Sequence, residues 1–115
     1  MKCPVCGNET FPSENYEFDV CKECFWEYDP VQVENPDYSG GANCHSLNEY
    51  KMIYDALKRH KSDFSCKNPN DRDLIIKLDH ADNYDDAKEK LLVDNVYTKE
   101  YLGELLDAVY ENHPA

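Results

Sequence analysis

Apolar residues recur at helical spacing through the second half of the chain, and polar clusters break them into discrete segments. Ser46-Leu47-Asn48-Glu49 has the form of a capping box, in which a hydroxyl accepts from the backbone three residues on and the glutamate reaches back, so a helix is predicted from Leu47. Leu47, Tyr50, Ile53, Tyr54 and Leu57 then share one face to about Arg59. Residues 61–71 read as a polar turn. Beyond it, Leu74, Ile75, Leu78 and Ala81 suit one helical face, although Leu74-Ile75-Ile76 equally suits a buried strand, so residues 74–78 stay open with helix favoured. Tyr84, Ala87, Leu91 and Leu92 predict a further helix. Thr98 can cap a last one that turns Tyr101, Leu102, Leu105, Val109 and Tyr110 inward, with Gly103 as its weakest position.

The first half lacks this period. Short strands are expected around Thr10-Phe11 and Tyr16-Asp19. Phe11, Tyr16, Phe18, Phe25, Trp26 and Tyr28 are too many aromatics for so short a segment to bury alone, so most must pack on the rest of the chain. Residues 29–43, with two prolines and a Gly-Gly pair, read as an extended loop wrapping that segment. The expected fold class is therefore α+β: a ribbon of short antiparallel strands, packed against three to four α-helices. Residues 1–45 form the ribbon module with its loop and 46–115 the helical portion, as one unit.

Cysteine spacing changes the picture. Cys3-Pro4-Val5-Cys6-Gly7 and Cys21-Lys22-Glu23-Cys24 are separated by fourteen residues. A two-residue gap lets both sulfurs of a pair face one metal, and two such knuckles complete a four-thiolate shell for one structural Zn²⁺ held by Cys3, Cys6, Cys21 and Cys24. Gly7 can adopt the open backbone conformation that follows the first knuckle. Because Met1-Lys2 leads straight into the first cysteine, with no charged-then-apolar leader, metal is expected over a disulfide framework and the protein is expected in the cytoplasm. Cys44 and Cys66 would remain free thiols.

CPVCG also resembles one knuckle of rubredoxin, an iron carrier, but Cys24-Phe25-Trp26 lacks the glycine of its second knuckle. The strings CPVCG, VCKECFWEYDPVQ and NPDYSGGAN followed by SLNEY, in order over residues 3–50, resemble the small bacterial cysteine-rich family named for its CPCC motif. The resemblance implies a zinc-ribbon-like module without a settled activity. Val5 stands where the motif has a cysteine, so any role of that thiol is missing here.

Charge narrows the partners. Twenty-four acids against twelve Lys and Arg give a formal net charge of −12, and residues 9–37 carry nine acids and one lysine. Phosphate recognition needs clustered cations, so nucleic acid is disfavoured and a basic protein is the natural complement. The one basic cluster, Lys58-Arg59-His60-Lys61, sits at a predicted helix C-terminus, where the macrodipole favours cations. No apolar run is long enough to span a membrane as a helix.

No Gly-rich phosphate loop, GxSxG or HExxH occurs, so an enzyme is not expected. Cys44-His45 is a weak nucleophile and base pair, because adjacent side chains diverge on most backbones, and His45 can instead lie near the metal or cap the following helix. The string from Asp79 through His80 to Asp86 lacks the glycine and terminal glutamate of a calcium loop. The favoured reading is an acidic, metal-stapled immunity protein or antitoxin that occludes a basic nuclease toxin, with Asp79, Asp82, Asp85, Asp86 and Glu89 as contacts. A zinc-ribbon adaptor in transcription or translation is the alternative, followed by an electron carrier.

Overall fold

The computed structural model describes residues 1–93 and 96–111. These residues form five helices in chain order: α1 (Pro30–Glu34), α2 (Leu47–His60), α3 (Pro69–Asp79), α4 (Tyr84–Leu91) and α5 (Lys99–Tyr110). Among the described residues there is no strand, so the expected α+β class is corrected to a helical fold. Extended backbone pairs at two isolated bridges, Lys2 with Glu9 and Val20 with Glu27. The physical reason lies between them. Pro12 has no N–H to donate, and Asn15 and Phe18 take left-handed backbone at φ 54° and 65°, which turns the chain where a strand over Tyr16-Asp19 would need it extended.

Each helix starts on a side chain that accepts from its own first turn: Asp29, Ser46, Asn68, Asn83 and Thr98 cap α1 to α5 in order. At α2 the Ser46 hydroxyl accepts from the Glu49 N–H at 3.2 Å and donates to the Glu49 carboxylate at 3.1 Å, so the capping box closes through the hydroxyl. The region 74–78 is helical. Its helix begins earlier than the apolar pattern indicates, with Asn68 as cap and Pro69 pre-set for the first turn.

Helix α2 packs on α3 and α5, and α4 packs on the same two, so four helices close a ring. Ile53, Leu57, Leu74, Leu78, Leu91 and Leu105 fill it. The cysteine-bearing segment rests on the outside of α2. Trp26 is fully buried edge-to-face on Tyr50, with centroids 5.2 Å apart, and the Tyr50 hydroxyl donates to the Cys24 carbonyl at 2.7 Å. Phe11 is buried too, Tyr16, Phe25 and Tyr28 are half-buried, and Phe18 stays exposed.

The wrapping segment is held by buried polar groups. The Gln32 amide nitrogen donates to the carbonyls of Tyr38, Asn43 and His45, while its oxygen accepts from both nitrogens of Asn43. Asn43 in turn pairs with the Glu27 backbone in both directions. Asp29 caps α1 and also accepts from Ala42 N at 2.9 Å. The chain passes so close that a Cβ on Gly41 would lie 2.5 Å from Asp29 Oδ2. No helix among the described residues is long and apolar enough to cross a membrane.

Candidate metal centre

The two knuckles are built alike from their backbones. In the first, Cys3 N donates to Asn8 O and Gly7 N to Cys3 O; in the second, Cys21 N donates to Trp26 O and Phe25 N to Cys21 O. The bridges Lys2–Glu9 and Val20–Glu27 close them at equivalent positions. Gly7 has φ 75° and Phe25 φ 68°. Phe25 therefore holds, at a cost of about 1–2 kcal/mol, the left-handed turn that glycine takes freely. A phenylalanine gave no signal of that turn in the sequence.

This repeated turn brings four sulfurs together. Those of Cys3, Cys6, Cys21 and Cys24 all lie within 4.8 Å of one another. Cys3 Sγ is 3.6 Å from Cys24 Sγ, and Cys6 Sγ is 3.7 Å from Cys21 Sγ. Sulfurs placed about 2.3 Å from a central tetrahedral metal ion are separated by about 3.8 Å, so the set fits such an ion. A disulfide would need about 2.05 Å, and all six cysteines are free.

Cys3, Cys21 and Cys24 are at most 2% exposed, which leaves a shell closed to solvent on most sides. Val5 N donates to Cys3 Sγ at 3.4 Å, and Thr10 Oγ1 lies 3.0 Å from Cys21 Sγ. Hydrogen bonding to Cys24 drives the Cys21 thiol far below its ordinary range, and the same contact drives Cys24 far above it. Sulfurs this close hold protons jointly, and all four ionise only around a cation.

A family model described as cysteine-rich CPCC matches residues 1–72. The chain belongs to this family. The CPCC match runs beyond the strings at residues 3–50 and takes in all of α2 and the segment leading into α3. The structure accounts for that reach: Cys66 N donates to the Glu23 carbonyl inside the second knuckle, and Lys67 pairs with Glu23 at 3.6 Å. No curated protein is similar enough to the chain to be matched with it.

Of the remaining sequence candidates, Cys44, His45 and Asp79 come together, and Cys66 stands apart from them. Burial, with Cys21 and Asp71 nearby, pushes the Cys66 thiol up to about 12, so it packs as a small apolar side chain. Burial and the carboxylates of Asp79 and Asp82 also raise the Cys44 thiol. The His45 ring lies against the Ala81 carbonyl at 3.0 Å and Glu49 at 3.4 Å. Of the acids proposed as contacts, Asp82, Asp85 and Glu89 are exposed. Asp86 accepts from Asp82 N and pairs with Lys90 at 2.6 Å, and Asp79 is 8% exposed with both oxygens on backbone amides. Cations of the basic cluster are also engaged internally: Lys58 donates to the Phe64 carbonyl, and Lys61 pairs with buried Asp71 at 2.9 Å.

Proposed function

We propose that the four-cysteine centre holds one Zn²⁺ as a structural staple, and that the stapled domain is an acidic binding protein directed at a basic partner. The closed tetrahedron of sulfurs carries the metal reading: with four thiolates and no room for a substrate, the binding energy of the ion becomes folding energy. The partner reading rests on where the acids lie. Among the described residues only Asp29, Asp71 and Asp79 are buried acids, so most of the negative charge faces outward.

Such a surface steers onto a cationic cleft and covers it, which fits an immunity protein or antitoxin acting on a nuclease-type toxin. Asp82, Asp85 and Glu89 are the contacts that follow, because Asp79 and Asp86 are committed to the fold. Reversing those three to Lys should slow association with the partner at least tenfold at low salt and flatten its salt dependence, with helical content unchanged. Unchanged association kinetics would rule this surface out. The partner itself is sought by passing lysate over the immobilised zinc-loaded protein and eluting with salt; retention of nucleic acid or of transcription proteins would favour the adaptor reading instead.

One observation favours a second reading of the metal. Phe25 restores the knuckle turn that its sequence lacks, so an iron-bound, rubredoxin-like centre is compatible with the backbone. A red protein with a reversible potential would establish it, and a colourless zinc protein would eliminate it.

A further inference from the structure

A second cluster of metal-binding side chains lies where the wrapping segment meets the end of α3. Cys44 Sγ, a carboxylate oxygen of Asp79 and a ring nitrogen of His80 all lie within 4.8 Å of one another, and Cys44 Sγ is 3.5 Å from His80 Nδ1. A cation about 2.3 Å from a thiolate and 2.0–2.1 Å from an imidazole, at a tetrahedral angle, needs those two atoms about 3.6 Å apart. Neither the helical period nor cysteine spacing brings these residues together. The tertiary fold does, across 35 and 36 positions of sequence.

Asp79 organises the cluster before any ion arrives. Its Oδ2 accepts from Cys44 N at 3.1 Å and its Oδ1 from His45 N at 3.0 Å, which fixes the carboxylate and places Cys44 across from His80. A carboxylate offers about four lone-pair sites, and the two amides use two, so an oxygen remains able to bind metal. Asp79 and His80 also line a cavity of about 210 Å³ together with Asn43, Tyr50 and Phe25.

We propose that Cys44, Asp79 and His80 form a second site for a borderline divalent ion such as Zn²⁺, distinct from the four-cysteine centre and with a coordination position left open. The mixed sulfur, nitrogen and oxygen set selects zinc or cobalt over calcium or magnesium, which demand oxygen alone. Three ligands, two of them on exposed residues, make this the weaker of the two sites, filled second. Asp79 and His80 lie outside residues 1–72, so the site joins the family-matched part of the chain to the part beyond it.

Cobalt is the probe, added to reduced, metal-free protein without air and followed by sulfur-to-cobalt charge-transfer absorption and native mass spectrometry. Two equivalents are expected, the second adding the absorption of one further thiolate. Cys44→Ser and His80→Gln, both at exposed positions, should each remove the second equivalent and leave the first intact. Binding of a single equivalent by the unsubstituted protein would overturn the proposal. So would a second equivalent that survives both substitutions, which would mark it as adventitious binding to surface acids.

Discussion

Two glycines separate conformational need from spatial need. Gly7 sits at φ 75° with no atom within 4 Å of an added Cβ, so Gly7→Ala should cost about 1 kcal/mol from backbone strain alone. Gly41 has the reverse problem: its Cβ would meet Asp29 Oδ2 at 2.5 Å and the Gln32 side chain at 3.0 Å. Gly41→Ala should therefore cost more, about 2 kcal/mol, by prising apart the groups that hold the wrapping segment. Urea unfolding of the metal-loaded variants checks the ranking, and equal costs would mean that the network around Gln32 yields easily. At this scale the sequence was legible wherever a residue type announces its geometry. The four cysteines did so by spacing and Ser46 and Thr98 by their offset from an apolar run. Phe25, Phe18 and Asn15 did not, because a left-handed turn on a residue with a side chain is imposed by its surroundings.

Among elements, Asp71 ties three segments together. From the first turn of α3 its buried carboxylate accepts from Lys61 Nζ, Ser65 N and the Tyr97 hydroxyl, joining the end of α2 to the approach to α5. Lys61 is raised above its ordinary range chiefly by that bond. Asp71→Ala removes the buried acceptor that these three donors share and should lower stability by about 3 kcal/mol, read from the shift of the urea midpoint at constant slope. The apolar period located α2, α4 and α5, but it overlooked one-turn α1 and placed the start of α3 late, since Asn68-Pro69 carries no apolar residue. The strands failed for a different reason. A strand was expected over Tyr16-Asp19, where the backbone turns at Asn15 and Phe18, and the aromatics there pack on neighbours without forming a sheet. Asp79 looked like a surface acid for a similar reason, because only the folded chain brings the amides of Cys44 and His45 onto it.

For the molecule as a whole, the burden on the metal follows from how little else holds the first 28 residues. Apart from three cysteines, the buried apolar side chains there are Val5, Phe11 and Trp26, too few to fix a segment that contains no helix. Cys3→Ser or Cys24→Ser should accordingly abolish metal binding at the four-cysteine centre and release this segment, while the four-helix ring, with its own core, keeps its far-ultraviolet circular dichroism. Trp26 is the only tryptophan of the chain and is 0% exposed between the second knuckle and Tyr50, so it reports on this region without labels. The most direct test is to strip metal from the reduced protein with a strong chelator and follow Trp26 emission, then add one equivalent of Zn²⁺. A red shift on stripping, reversed by zinc at one ion per chain, is the result expected of a structural four-cysteine centre. Emission that stays buried in the metal-free protein would contradict it.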